Sequence, residues 1–328
     1  MLLLSPTDIR HVFSMKDAIE ADKLAFRLFS DGKTDVPLRT QIVSEKQNGT
    51  FLFMPAYAPD LDAAALKIIN IFPNNIDKGL SSAPAQVLLV DGKTGYVNAL
   101  LDGATVTQLR TGAASGVALD ILGRKDAKRG ALIGTGGQAA AQLEAMLCVR
   151  ELETVFVYDQ NSERTRAFAE KMDQELKRYG TKILPAETSD EAISEADLII
   201  TVTPATSPVF DGSKVKAGAT VSCVGSYQPH MQEMDPVILE RSAKIYFDSQ
   251  EAVLSEAGDI LIPLEEGRIT KKDFTGDIGD VLAGNIVGRE QADEIIVFKT
   301  VGIGAQDLVT AQKIYERARK AKIGTEWS

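Results

Sequence analysis

Three cations stand in settings where they could grip and protonate a carboxylate-bearing substrate. Lys67 interrupts the apolar run Ala63-Ala64-Ala65-Leu66-Lys67-Ile68-Ile69-Asn70, an expected strand. A lysine in such a run costs free energy unless partnered. Buried, it would have a depressed pKa and suit acid/base work; at a strand edge it would simply reach solvent. Arg39, in Pro37-Leu38-Arg39-Thr40, and Arg110, in Gln108-Leu109-Arg110-Thr111, could each hold a carboxylate with a bidentate fork. Taken singly, surface arginines are commoner than ligands.

A second kind of chemistry is written in Gly134-Thr135-Gly136-Gly137-Gln138-Ala139, which lies between the expected strand Ala131–Ile133 and a helical stretch, Ala140 to Val149. The pattern is G-x-G-x-x-A: the first glycine permits a tight turn, the second lets the backbone approach a pyrophosphate, and the small last residue allows helix–strand contact. The helix N-terminus then offers free N–H groups to phosphates. The next strand ends at Asp159, about 20 residues further on, where an acid can accept hydrogen bonds from an adenosine ribose. That favours NAD. Asn161, Arg164 and Arg166 follow, and an arginine there can receive a 2′-phosphate, so NADP stays open. A nicotinamide cofactor needs groups that orient a carbonyl or imine and move a proton, which is work the three cations could do.

The elements that must position these residues follow from periodicity. Ser14 with Asp17 resembles a capping box, and Ala18, Ala21, Ala25, Leu28 and Phe29 share one helical face before Gly32. Strand-like runs follow at Thr50 to Met54, Ala63 to Phe72, and Gln86 to Val90 paired with Tyr96 to Leu101 across Asp91-Gly92-Lys93-Thr94-Gly95. Such short connections imply antiparallel pairing. A helix is expected from about Val106 to Leu122, kept slim by Gly112-Ala113-Ala114-Ser115-Gly116 and closed by Gly123. From Gly130 the pattern becomes short apolar strands alternating with helices, the signature of a parallel sheet. Seven strands are expected: Ala131–Ile133, Thr154–Tyr158, Lys182–Leu184, Asp197–Thr201, Thr220–Val224, Lys244–Phe247 and Ile295–Phe298. After Gly302-Ile303-Gly304, a helical stripe of Leu308, Ala311, Ile314, Tyr315 and Ala318 is too isolated to be a domain and should return to the N-terminal one.

Composition narrows the function classes. The 328 residues are 44% hydrophobic and 25% charged, ordinary values for a soluble two-domain protein. A net charge of −10 disfavours nucleic acid and anionic lipid as partners. Two cysteines, Cys148 and Cys223, each inside an apolar stretch, argue against a disulfide framework, and two histidines, His11 and His230, are too few for a histidine metal cage, so no metal is expected. Met1-Leu2-Leu3-Leu4 is too short for a signal segment and no apolar run approaches 18 residues, so the expected compartment is cytoplasmic.

Several segments together resemble the ornithine cyclodeaminase/μ-crystallin family: Lys67-Ile68-Ile69-Asn70, Asp91 to Gly95, Thr107-Gln108-Leu109-Arg110-Thr111-Gly112-Ala113-Ala114, Gly134 to Ala139, Thr201-Val202-Thr203, Gly258-Asp259, Gly284-Asn285-Ile286-Val287-Gly288-Arg289, and Phe298 through Asp307. The resemblance covers nearly the whole chain. It implies an α/β fold with a Rossmann-type doubly wound parallel-sheet domain, residues 125–302, and an α+β substrate-binding and dimerisation domain, residues 1–124 and 303–328. It also implies a homodimer joined through the N-terminal sheets, with substrate in the cleft between domains. Arg39 and Arg110 would hold the substrate carboxylate, and Lys67 would donate or accept the proton. Thr111, Gly134, Thr135, Gly136, Gly137, Gln138, Ala139, Asp159, Thr201, Thr203 and Gly225 would meet the cofactor.

One position departs from the pattern. Family members that deaminate ornithine, and a related alanine dehydrogenase, carry an aspartate after the strand-ending glycine, whereas Val224-Gly225-Ser226-Tyr227-Gln228-Pro229 places Tyr227 there. A neutral phenol supplies no counter-charge for a δ-ammonium, although it can pack or hydrogen-bond beside a substrate. Cyclodeamination is thereby disfavoured. The leading expectation is NAD(P)H-dependent reduction of a cyclic α-imino acid of the ketimine or Δ1-pyrroline-2-carboxylate type, giving L-proline or an analogue. Ornithine cyclodeamination or amino-acid dehydrogenation is the alternative within the family; a non-catalytic μ-crystallin-like ligand-binding protein is the alternative of another class.

Overall fold

The computed structural model describes residues 1–327 in two compact units, Met1–Arg110 with the chain from Ile303 onward, and Thr111–Gly302. The chain opens with β1 (Leu2–Leu4), α1 (Pro6–Val12) and α2 (Met15–Ser30). At the start of α2 the Ser14 hydroxyl accepts from the Asp17 amide at 3.3 Å while the Asp17 carboxylate accepts from the Ser14 amide at 3.0 Å. The capping box therefore forms as the spacing requires. Ala18, Ala21, Ala25 and Leu28 are buried, and Phe26 rather than Phe29 is the fully enclosed ring.

Antiparallel strands follow: β2 (Thr40–Ser44), β3 (Gly49–Ala58), β4 (Ala63–Ile71), β5 (Ala85–Asp91) and β6 (Val97–Asp102). Then comes α3 (Gly103–Leu122), which begins three residues earlier than its apolar periodicity suggests, because Asp102 Oδ1 accepts from the Thr105 amide at 2.8 Å. The two units divide inside this helix, between Arg110 and Thr111, rather than in the charged turn after Gly123. That turn ends a helix; it does not end a unit.

In the second unit strands and helices alternate: β7 (Arg129–Ile133), α4 (Ala139–Val149), β8 (Thr154–Tyr158), α5 (Ser162–Glu175), β9 (Lys182–Pro185), α6 (Ser189–Ile193), β10 (Leu198–Thr201), β11 (Thr220–Cys223), α7 (Pro236–Arg241), β12 (Lys244–Phe247), α8 (Gln250–Glu256), α9 (Gly258–Glu265), β13 (Gly276–Asp277), α10 (Ile278–Ala283) and β14 (Ile296–Lys299). All seven expected strands form. The two-residue β13, too short to leave a pattern, adds an eighth at the edge. The sheet is wholly parallel, in the order β13-β12-β14-β11-β10-β7-β8-β9. This is a Rossmann-type domain, and its strand order reverses between β7 and β10, where such sheets hold their ligands. β10, β11, β12 and β14 are buried along their whole length, as parallel strands covered on both faces must be.

The chain closes with α11 (Gly304–Ala321) and β15 (Thr325–Glu326), both in the first unit. Its sheet runs β15-β1-β6-β5-β4-β3-β2, with β1 parallel to β6. The leucines of β1, read from sequence only as too short a signal, thus form a strand with Leu2 and Leu4 buried. Leu308, Ala311, Ile314 and Ala318 form the buried stripe of α11, which lies on the inner face of the sheet against α2, β3 and β4. Gly304 makes that close approach possible, since a Cβ there would stand 2.8 Å from the Pro55 carbonyl oxygen of β3. Gly304→Ala should push the helix off the strand and lower stability by about 1–3 kcal/mol in urea unfolding, the range for overpacking; an unchanged midpoint would show that the contact relaxes freely.

Candidate active site

Side chains alternate along β4, and Lys67 falls on the inner face with Ala63 and Ala65. Its cross-strand neighbours, Met54 of β3 and Val87 of β5, are both buried. Lys67 itself has no solvent exposure, so the strand-edge alternative does not hold. Its Nζ donates to Asp307 Oδ2 at 2.6 Å, and Asp307 Oδ1 accepts from Arg110 Nε at 3.2 Å. Lys67 and Arg110 are therefore bridged by one buried carboxylate. Among the described residues no side chain accepts from the two terminal nitrogens of Arg110, which remain available for a planar anion. Burial foremost, and then the Arg110 guanidinium, pull the Lys67 pKa from 10.5 down to about 7; Asp307 pulls it upward, and Arg39, half-buried just before β2, adds a smaller downward push. Such an amine exchanges protons readily at neutral pH.

Asp307 is the site residue that sequence reasoning missed. It lies in the first turn of α11, a favourable place for a carboxylate, and it shares the buried face with Ala311, Ile314 and Ala318. An acid on an apolar stripe is the signal that could have found it, because it must be paired, and Lys67 was a cation in the same predicament. The preceding Gln306 is also fully buried. Its Nε2 donates to Asp22 Oδ2 of α2 at 2.7 Å and to the Arg110 carbonyl at 3.3 Å, while its Oε1 accepts from the Ile303 amide. Three helices are tied together at this point.

In the second unit, β7 ends at Ile133 and Gly134 takes φ +106°, where a Cβ would lie 2.7 Å from the Val202 carbonyl oxygen. Only glycine fits that turn. A Cβ on Gly136 or Gly137 would meet nothing within 4 Å, so the loop borders open space. Gln138 and Ala139 lead into α4, whose start has no side-chain cap and leaves backbone N–H groups for an anion. A cleft of about 620 Å³, bounded by Gly134, Gly136, Asp159, Arg164 and Thr203, opens at the carboxyl ends of β7, β8 and β10. Among the described residues, buried Thr111 Oγ1 and Gln138 Oε1 have no hydrogen-bond partner, although the Thr111 carbonyl accepts from Gln142. A glycine cradle, an uncapped helix start and orphaned polar atoms suit a dinucleotide.

Asp159 stands on the rim of that cleft. Its Oδ2 accepts from the Thr135 amide and hydroxyl, at 3.1 and 2.8 Å, and its Oδ1 accepts from the Asn161 amide. Burial works against its charge, but these hydrogen bonds hold the carboxyl below its usual range. Arg164 approaches to 3.9 Å. Thr201 ends β10 fully buried. Beyond it, Thr203 and Gly225 are fastened to one another through Glu233, whose Oε2 accepts from the Thr203 amide and hydroxyl and whose Oε1 accepts from the amides of Val224 and Gly225, all within 3.0 Å. Glu233 is wholly buried, and buried Asp259 holds its backbone amide while pairing with buried Lys299 at 3.0 Å. Burial and Asp259 raise the Glu233 carboxyl, and Lys299 and the converging N–H groups oppose that rise.

Comparison with known proteins gives the family. A family model, ornithine cyclodeaminase/mu-crystallin family, matches residues 1–322. The chain belongs to this family. A Delta(1)-pyrroline-2-carboxylate reductase of Bacillus cereus is 37% identical over 324 residues, covering 99% of this chain and 98% of its own. The solved structure of Thermococcus litoralis Delta(1)-pyrroline-2-carboxylate reductase in complex with NADH and L-proline is 42% identical with a TM-score of 0.95, and both chains are covered completely. An archaeal alanine dehydrogenase dimer with bound NAD is 33% identical with a TM-score of 0.91, covering 100% of this chain and 99% of its own.

Against that family background, Tyr227 lies half-buried in the loop after β11, and His230, three residues further on, is exposed. The Glu233 network left no trace in the sequence pattern, since Gln232-Glu233-Met234 belongs to no regular element and its partners come from two other strand ends. Glu233→Gln would aim an amide NH2 at N–H donors. It should lower stability by about 1–3 kcal/mol and speed hydrogen exchange at the Thr203 and Gly225 amides; unchanged exchange at both would remove Glu233 as the tie between these loops.

Proposed function

We propose that the protein is an NAD(P)H-dependent reductase of a cyclic α-imino acid of the Δ1-pyrroline-2-carboxylate class, yielding L-proline or an analogue. The observation that carries this reading is the buried amine of Lys67, poised near neutrality beside a guanidinium for whose terminal nitrogens no described side chain is an acceptor. One carboxylate and one basic nitrogen are what such a pair can recognise. The full-length likeness to two Δ1-pyrroline-2-carboxylate reductases supports the same substrate class.

The work divides between the two units. Arg110, assisted by Arg39, binds the substrate carboxylate and fixes the ring. Lys67 in its ammonium form hydrogen-bonds the imine nitrogen, polarises the C=N bond and delivers its proton to that nitrogen. Tyr227, standing in place of the family's aspartate, contributes a phenol beside the substrate and no charge. The dinucleotide, when bound, supplies the hydride taken up by the imine carbon. Gly134, Thr135, Gly136, Gly137, Gln138 and Ala139 hold its pyrophosphate, Asp159 receives the ribose hydroxyls and disfavours a 2′-phosphate, and Thr111, Thr201, Thr203 and Gly225 contact the remainder. Arg110 and Thr111 are consecutive residues of α3.

Two copies associate through the outer face of the first sheet. There the half-exposed side chains of Phe51, Phe53, Leu66, Ile68, Leu88 and Leu100 form an apolar surface on paired strands, and the archaeal alanine dehydrogenase described above is a dimer.

Mixing the protein with Δ1-pyrroline-2-carboxylate and NADH or NADPH should consume the reduced cofactor, faster with NADH. No consumption with either would refute the substrate assignment, and ammonia release from ornithine or alanine with NAD+ would replace it with a deaminating activity. Lys67→Ala should slow turnover by about 10²–10⁴-fold, the usual contribution of a positioned acid, with dinucleotide affinity retained; a wild-type rate would remove Lys67 from proton transfer. Lys67 must be charged to donate. The rate of imine reduction should therefore fall as pH rises through about 7, and oxidation of the amine product should rise over the same interval. A reductive rate independent of pH across that window would contradict the assignment.

A further inference from the structure

We propose that Asp307 is the positioning residue of this site: its carboxylate holds the Lys67 ammonium with one oxygen and orients the Arg110 guanidinium with the other. The proposal rests on the reductase reading for the substrate's identity and on geometry for the rest. Asp307 is 1% exposed and contacts both cations at hydrogen-bond or ion-pair distance, 2.6 Å to Lys67 and 3.2 Å to Arg110. By taking Nε rather than the fork of Arg110, it leaves the two terminal nitrogens parallel and unspent for a substrate carboxylate.

The charged groups acting on Lys67 come from three elements: Asp307 on α11, Arg110 on α3, and Arg39 in the segment before β2. Of these three, Asp307 alone favours the ammonium. Without it, burial and two guanidinium groups would drive Lys67 neutral and leave no proton to give at physiological pH. The placement is reinforced from the next residue, because Gln306 holds the Arg110 carbonyl and reaches Asp22. Consecutive residues of one helix turn thus fix the backbone and the side chain of the same arginine. During the proposed reaction a proton passes from Lys67 Nζ to the imine nitrogen, a hydride adds to the imine carbon, and Lys67 is re-protonated from solvent. Asp307 is unchanged throughout.

The test compares wild type, Asp307→Asn and Asp307→Glu in the full-length protein, reading the pH profile of kcat/KM for Δ1-pyrroline-2-carboxylate with NADH and the affinity for unreactive pyrrole-2-carboxylate by calorimetry. In Asp307→Asn the descending limb of the profile should move down by about 1–3 pH units, the usual effect of one close opposite charge. Its KM and the analogue's Kd should each rise about tenfold, as expected when a charged hydrogen bond that orients the anchor is lost. Asp307→Glu should restore the limb to its wild-type position and leave KM raised, because the charge returns one methylene out of place. A folded Asp307→Asn protein with wild-type limb and KM overturns the proposal. If that variant does not fold, Asp307→Glu decides: a retained limb with raised KM supports it, and a displaced limb or an unchanged KM overturns it. If the wild type reduces no imino acid, the substrate reading fails on its own, and analogue affinity still decides the role of Asp307: weaker binding in Asp307→Asn supports it and equal binding overturns it.

Discussion

A lysine amine enclosed on the inner face of a sheet is the constraint around which the first unit is built. An ammonium there must be paired or neutralised, since removing a charge from water without a partner costs several kcal/mol. Asp307 supplies the partner, and the arrangement leaves Lys67 close to the balance between its two forms rather than locked in either. Helix α11 has to come within hydrogen-bond reach of β4 for this to happen, and the glycine that opens it lets the helix approach the sheet closely. The site's chemistry and the packing of the C-terminal helix are one problem with one solution.

The second unit solves a different problem with similar means. Its loops must keep backbone N–H groups and small residues facing a cleft at the strand ends, without secondary structure to hold them. Carboxylates do the holding. Asp159 fastens the glycine-rich turn through Thr135, Glu233 joins the loops after β10 and β11, and Asp248 accepts from Thr300, Val301 and Gly302 where the chain leaves the unit. Each acid takes several donors from short stretches of irregular chain. In both units buried charge supplies geometry more than net stability, because paired ions in a core gain little over apolar packing.

Much of this was readable from local pattern. The glycine turn at Gly134 has a purely local cause, a backbone conformation and a close carbonyl, so its spacing could be recognised directly. Lys67 was visible as an anomaly, a charge within an apolar strand, but its burial was not: a strand-edge lysine and an enclosed one look alike until the partner is known. That partner lies 240 residues away. Asp307 itself sat in a segment noted for its glycines, and its carboxylate could be assigned only once α11 was laid on the sheet. Short strands escaped for a simpler reason. β1 and β13 owe their existence to neighbours rather than to any periodicity of their own, and a run of two or three residues carries none.

The enclosed amine can be observed without any substrate. Protein labelled with ¹⁵N on lysine side chains, titrated by NMR and compared with Lys67→Met to assign the signal, should show the Lys67 amine losing its proton at about 7. A Lys67 signal that keeps its proton up to the ordinary lysine value of 10.5 would mean that the amine is solvated, and the ion cluster at the centre of this description does not exist.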